Sequence, residues 1–225
     1  MIPLGDENPT ARRPLLTLVL IGANLAGFFY QISLLRVDPR LELALIFQFG
    51  LVPAALTHGY SPGGYLTAVS SMFLHGGWLH LIGNMLYLWI FGNNVEDSMG
   101  HWRFLLFYLL TGIVAASAHV LMEPTSTVPT IGASGAVSGI LGAYLILYPR
   151  ARIKTLLPLG FLLTVVYLPA WFFLIFWIGL QIISQAFFPI GPDAGGVAYA
   201  AHIGGFVAGV LLIPFFRQYR RHYRR

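Results

Sequence analysis

No cysteine occurs in the 225 residues, which excludes disulfides, thiolate metal sites and a cysteine nucleophile together. Charge is nearly as scarce. Only 9% of the residues are Asp, Glu, Lys or Arg, where a soluble domain carries about 25%. With 57% hydrophobic residues and a mean hydropathy of +0.74, the chain has too few charged groups to cover itself with a surface that water tolerates. The bilayer is therefore the expected solvent. No low-complexity run, internal repeat or separate polar domain is visible, so residues 1–225 read as a single membrane domain. A net charge of +5 would suggest nucleic acid in a soluble protein. Here topology accounts for the basic residues, and no nucleic-acid partner is expected.

Apolar runs of about 20 residues are the length that crosses a bilayer as helix. Such runs fall near residues 15–33, 79–95, 104–122, 134–148, 161–183 and 197–216. The first follows Arg12 and Arg13 like a signal peptide, but it is too long for the apolar part of one and lacks a cleavage site, so it reads as a retained span. Residues 41–56 are apolar but short and broken by Gly50 and Pro53, which suggests an interfacial or re-entrant piece. Residues 159–190 could hold two spans, with Pro169 inside. The basic residues decide. With six spans, eleven of the thirteen Lys and Arg gather on the side of the two termini, and only Arg36 and Arg40 lie opposite. The positive-inside rule then places both termini in the cytoplasm, with the loops near 36–78, 123–130 and 189–196 outside. A seventh span would put the basic tail or the Arg150–Lys154 loop on the wrong side. The expected fold is all-α: six transmembrane helices, with a long outer loop between the first and second.

Hydrogen-bonding groups inside hydrocarbon are costly, so each is a functional candidate. His80 and Asn84 lie i and i+4 on one face of the second segment. Ser134 opens the fourth, and His202 lies about two turns into the sixth. At 1.5 Å per residue all four fall within roughly 10 Å of the outer boundary. Each has a plain structural reading. Ser134 stands among small residues, as in close helix packing. His80 and Asn84 could simply bond each other across helices, and a lone histidine such as His119 usually finds a backbone carbonyl. Their common depth on three segments is harder to explain that way.

A serine hydroxyl needs a neighbouring base to become a nucleophile, and His202 is the available one. Glu123 and Asp193 sit in outer loops, and Glu96 and Asp97 at the cytoplasmic end, so a Ser–His dyad is better supported than a triad. Ser134 also opens a helix, whose free N–H groups and positive dipole end favour an oxyanion. Asn84 and His80 can donate to the same oxygen. Ser138, one turn deeper, is the rival nucleophile. Ser134 is preferred because donors and water reach the helix end. The soluble-hydrolase elbow is excluded, since Gly-x-Ser-x-Gly would need glycine at Ala136 and a preceding strand.

Three stretches together, "FLHGGWLHLIGN" at 73–84, "GASG" at 132–135 and "AHIGGFVAG" at 201–209, resemble the rhomboid family of intramembrane serine proteases. The resemblance implies Ser134 as nucleophile, His202 as base, and His80 with Asn84 at the oxyanion hole. It implies a packing role for Gly205, a bracing role for His75 in the outer loop, and an end of the second helix at Asn93–Asp97. Many relatives carry an aromatic residue one turn after the serine, against the imidazole. Here that position is Ser138, so something else must orient His202.

The expected activity is endoproteolysis of transmembrane segments of other membrane proteins, with those proteins and the bilayer as partners. The expected location is a prokaryotic plasma membrane. The competing readings are a catalytically silent relative that binds transmembrane segments, which should lack the serine or the histidine, and a transporter, which should continue the polar path inwards. No cofactor is implied, and no metal: His75, His80 and His202 lack a carboxylate or thiol to complete a zinc site. In the fifth segment, Trp171, Phe172, Phe173, Phe176 and Trp177 read either as a lipid-facing surface or, by the resemblance, as part of a lateral gate that Pro169 loosens.

Overall fold

The structure is a computed structural model, and it describes residues 1–159, 162–187 and 196–218. Strand β1 (Ile2–Asp6) leads to α1 (Leu15–Val37). The connection that follows holds α2 (Pro39–Phe49), α3 (Pro53–Thr57) and α4 (Thr67–Ser70). Then come α5 (Trp78–Met99), α6 (His101–Met122) and α7 (Ser134–Leu147). A hairpin of β2 (Arg152–Leu159) and β3 (Leu162–Pro169) leads into α8 (Ala170–Phe187), and α9 (Tyr199–Phe216) completes the described helices.

Helix α7 is the axis of the bundle. Every residue from Gly135 to Tyr144 is buried, as expected of a helix apolar all round, because α5, α6, α8 and α9 all pack on it. Glycines bring α9 closest. A Cβ on Gly205 would collide with the carbonyl oxygen of Gly135, and one on Gly209 with that of Gly139. Below them Phe104, Phe107, Tyr108, Ile140 and Tyr144 are fully inaccessible.

Four described helices, α1, α6, α8 and α9, are long and apolar enough to cross a bilayer. Helix α5 has the length, 22 residues, but carries Asn84, Asn93, Asn94 and Glu96. Helix α7 has 14 residues, or about 21 Å at 1.5 Å per residue, against a hydrocarbon thickness of about 30 Å. It is therefore too short to cross the hydrocarbon by itself.

The bundle is mostly helical, as expected, but the fifth segment needs correction. Residues expected at the start of a span at 161–183 form β3 instead, and the helix begins at Ala170. Pro169 closes the strand rather than weakening a helix. The strand signal was present. Exposure alternates from Arg152 to Thr155, with Ile153 and Thr155 inaccessible, which is the period of a strand. Leu162–Pro169 is rich in β-branched and aromatic residues, which suit strands. β2 pairs antiparallel with β3, from Arg152 opposite Pro169 to Leu159 opposite Leu162, and β1 adds to the other edge of β2. The expected loop at 189–196, except Gly196, and the basic residues from Arg220 onward lie outside the described residues.

At this sheet end, α1 begins after Pro14 with no side-chain cap of its own. Glu96 of α5 supplies one, accepting from Leu16 N at 2.9 Å, Thr17 N at 2.8 Å and Thr17 Oγ1 at 2.7 Å. A carboxylate there satisfies orphan donors and faces the positive end of the helix dipole. Asp97 accepts from the backbone of Ala11 and Arg12, both at 3.1 Å. Asn94 Nδ2 and Tyr144 OH both donate to Asp6 Oδ2, at 2.8 and 2.5 Å. The Asn93–Asp97 stretch thus ties β1, α1 and α7 to the end of α5.

Candidate active site

The opposite end of the bundle encloses a cavity of about 800 Å³. Ser134, His202, His80 and Asn84 all line it. The four site residues chosen from sequence therefore come together from three helices.

The start of α7 is fixed by the loop before it. Leu51 and Thr130 exchange backbone hydrogen bonds of 3.0 and 2.7 Å, and Gly132 N donates to Ser71 O at 2.9 Å. Gly132 has φ +124° and lies against α5: a Cβ there would be 2.6 Å from His80 Nε2 and 3.6 Å from Asn84 Nδ2. Only glycine suits both the backbone conformation and the space. The contact sets the serine turn against the first two turns of α5. No side chain caps α7, so its first N–H groups have no capping partner at the cavity.

Asn84 is buried, and its Nδ2 has no hydrogen-bond partner. A buried donor left open is costly, and this one lies beside the serine turn. Gly76 N donates to His80 Nδ1 at 3.4 Å. With Nδ1 accepting, a neutral His80 ring carries its proton on Nε2, the nitrogen next to Gly132. Both side chains can therefore donate near the serine turn.

His75 packs edge to face on His80, with ring centroids 5.2 Å apart. Burial, and secondarily His80, lowers the His75 imidazole to about 3, so the ring is neutral. Its backbone is clamped by Gln31 of α1, which accepts from His75 N at 2.9 Å and donates to His75 O at 3.1 Å. The loop residue is braced through its backbone.

No hydrogen bond joins Ser134 to His202 among the described residues. Catalytic hydrogen bonds are often long before substrate binds. Ser138 Oγ donates to the Ser134 carbonyl at 2.6 Å, so the rival hydroxyl is tied back into its own helix.

His202 has partners that were not expected. Gln181 Oε1 lies 2.8 Å from His202 Nδ1, and the Trp177 ring lies 5.8 Å from the imidazole at 33°. Both come from α8, so the aromatic neighbour missing at Ser138 is supplied by another helix. A signal for Gln181 existed: an amide inside an apolar span needs a partner. His119 also lines the cavity, and its Nδ1 is buried without a partner. The Nδ1 atom of His119 thus makes no bond to a backbone carbonyl. No group of three or more metal-binding side chains occurs among the described residues.

A family profile for the rhomboid domain matches residues 62–219. The chain belongs to the rhomboid family. It is an integral membrane protein, as its apolar helices require. It is 30% identical over 211 residues to the rhomboid protease AarA of Providencia stuartii, a match covering 88% of this chain and 70% of the relative. The rhomboid protease GluP of Bacillus subtilis is 33% identical over 147 residues, 65% of this chain and 25% of GluP. Rhomboid-like protein 11, chloroplastic, of Arabidopsis thaliana is 33% identical over 123 residues, 55% of this chain and 37% of that protein. The rhomboid chain thus spans well under half of the last two relatives.

Proposed function

We propose that the chain is an intramembrane serine endopeptidase that cleaves other membrane proteins within or beside their spans. The observation that carries this reading is that Ser134, His202, His80 and Asn84, from three helices, line one cavity. Ser134 Oγ attacks the scissile carbonyl carbon while its proton passes to His202 Nε2, and the carbonyl electron pair moves onto oxygen. The backbone N–H groups at the start of α7, Asn84 Nδ2 and His80 Nε2–H hold that oxyanion. On collapse the C–N bond breaks, and the leaving amine takes the proton from His202. Water, deprotonated by the same histidine, then hydrolyses the acyl ester. No cofactor takes part.

The six spans in this proposal are α1, α5, α6, α7, α8 and α9, in one domain, with α2 to α4 in the outer connection. Both termini and the sheet lie on the cytoplasmic side of a prokaryotic plasma membrane, since that arrangement gathers the basic residues inside. The cavity then opens to the outer half of the bilayer. The test is cleavage of a tagged single-span substrate by the purified protein in liposomes. Specific products that vanish with Ser134→Ala support protease function. Intact but tightly bound substrate would favour the silent, segment-binding relative.

A further inference from the structure

Helix α8 contributes to the cavity through its inner face, and the contact it makes there has a definite hydrogen-bond direction. Gln181 Nε2 donates to the Trp177 carbonyl at 3.3 Å, which leaves Oε1 as the atom facing the imidazole, 2.8 Å from His202 Nδ1. An amide oxygen only accepts, so His202 Nδ1 must carry the hydrogen, and a neutral ring then has its lone pair on Nε2. Trp177 limits the ring from the side. It lies tilted against His202 and stacks on Phe206, one turn further along α9, with centroids 6.3 Å apart.

The two cavity histidines are thereby set in opposite tautomers. His80 accepts a backbone N–H at Nδ1 and offers Nε2–H, while His202 donates at Nδ1 and offers a bare Nε2. One suits an oxyanion donor, the other a general base.

We propose that Gln181 is the positioning residue of the base: its amide oxygen holds His202 in the Nδ1–H tautomer, so that Nε2 is free to take the Ser134 proton. This rests on the protease reading above. Gln181 itself need not touch substrate. Because it stands on α8, the base is correctly set only while α8 is seated against α9.

The experiment compares Gln181→Leu, Gln181→Met and Gln181→Glu with the unmodified protein in detergent, using a small soluble ester or peptide. Leucine and methionine remove the acceptor at similar volume, and glutamate keeps it. Gln181→Leu and Gln181→Met should lower kcat about tenfold or more with little change in KM, as a wrong tautomer does. Gln181→Glu should retain most of the turnover. The ¹⁵N resonances of His202 in histidine-labelled protein should show hydrogen on Nδ1 in the unmodified chain and a shift towards Nε2–H in the leucine variant. Equal loss with glutamate and leucine, unchanged kcat with leucine, or Nε2–H in the unmodified protein would each overturn the proposal. If the apolar variants do not fold, the resonances of the unmodified protein still decide it. Ser134→Ala separates the two levels. Activity surviving in Ser134→Ala defeats the assignment of Ser134 as the nucleophile, on which this proposal rests, whereas an inactive Ser134→Ala beside a normal Gln181→Leu defeats only the role of Gln181.

Discussion

Gly205 of α9 lies directly against the carbonyl oxygen of Gly135 on α7, with no room for a side-chain atom between them. The residue after the serine and the third residue after His202 thus meet backbone to backbone. Gly205→Ala is expected to push the helices apart at the site, at a cost of about 1–3 kcal/mol, as overpacking does. Turnover should fall with it, and Gly205→Val should do worse. Thermal unfolding in detergent, read alongside ester hydrolysis, checks both. Unchanged stability and activity in Gly205→Ala would show that the contact is looser than described.

Ser134→Ala and His202→Ala are each expected to abolish proteolysis in a folded protein, because nucleophile and base act as a unit. Ser138→Ala should remain active. It loses one hydrogen bond to the Ser134 carbonyl, about 1 kcal/mol of stability. A dead Ser138→Ala beside an active Ser134→Ala would exchange their roles.

Asn84→Ala and His80→Ala should reduce kcat by about 10²-fold while Ser134 still reacts with a covalent probe, since they remove oxyanion donors and leave the nucleophile. Because the Asn84 Nδ2 is already buried and unpartnered, its loss should cost little stability. A change confined to KM would count against the oxyanion role.

At the other end, Glu96→Ala should destabilise the bundle by about 1–3 kcal/mol for each backbone donor left buried at the start of α1. Its distance from the cavity predicts little effect on the kinetics of the fraction that stays folded. Proteolysis of the N-terminal segment and thermal unfolding would measure it. An unchanged melting temperature would mean that water replaces the carboxylate.

The aromatics of α8 divide into two groups. Trp171, Phe172 and Phe176 are exposed on the outside of the bundle. Phe173 is buried, stacked on Phe91 at 6.2 Å and beside Tyr87 at 6.4 Å, both on α5. If parting of α8 from α5 admits substrate, Phe173→Ala should speed cleavage of a membrane-embedded substrate more than that of a soluble ester. Trimming Trp171, Phe172 or Phe176 should do neither. Equal acceleration of both substrates by Phe173→Ala would rule out a gate at this contact.

Much of this was legible in the sequence because hydrophobic length and basic asymmetry act locally. Helices α1, α5, α6, α7 and α9 begin within a few residues of the expected spans. The four polar site residues stood out because hydrocarbon makes each costly. The hairpin did not stand out. Val165 and Val166 of β3 continue without a charge into α8, so one apolar run covers two kinds of structure, and only the alternation around Ile153 and Thr155 and the β-branched residues of β3 mark the sheet. Gln181 is hidden for another reason: the usual orienting partner of a catalytic imidazole is an acid, whereas here a neutral amide on a different helix supplies the contact. Which helix faces which residue depends on packing, and periodicity within one segment does not contain it.

The most direct measurement of the catalytic assignment is mass-spectrometric mapping of the adduct formed by a fluorophosphonate probe on the purified protein. A single adduct on Ser134, lost in both Ser134→Ala and His202→Ala and retained in Ser138→Ala, is the expected result. An adduct on Ser138, or cleavage of substrate by a chain whose Ser134 never reacts, would contradict it.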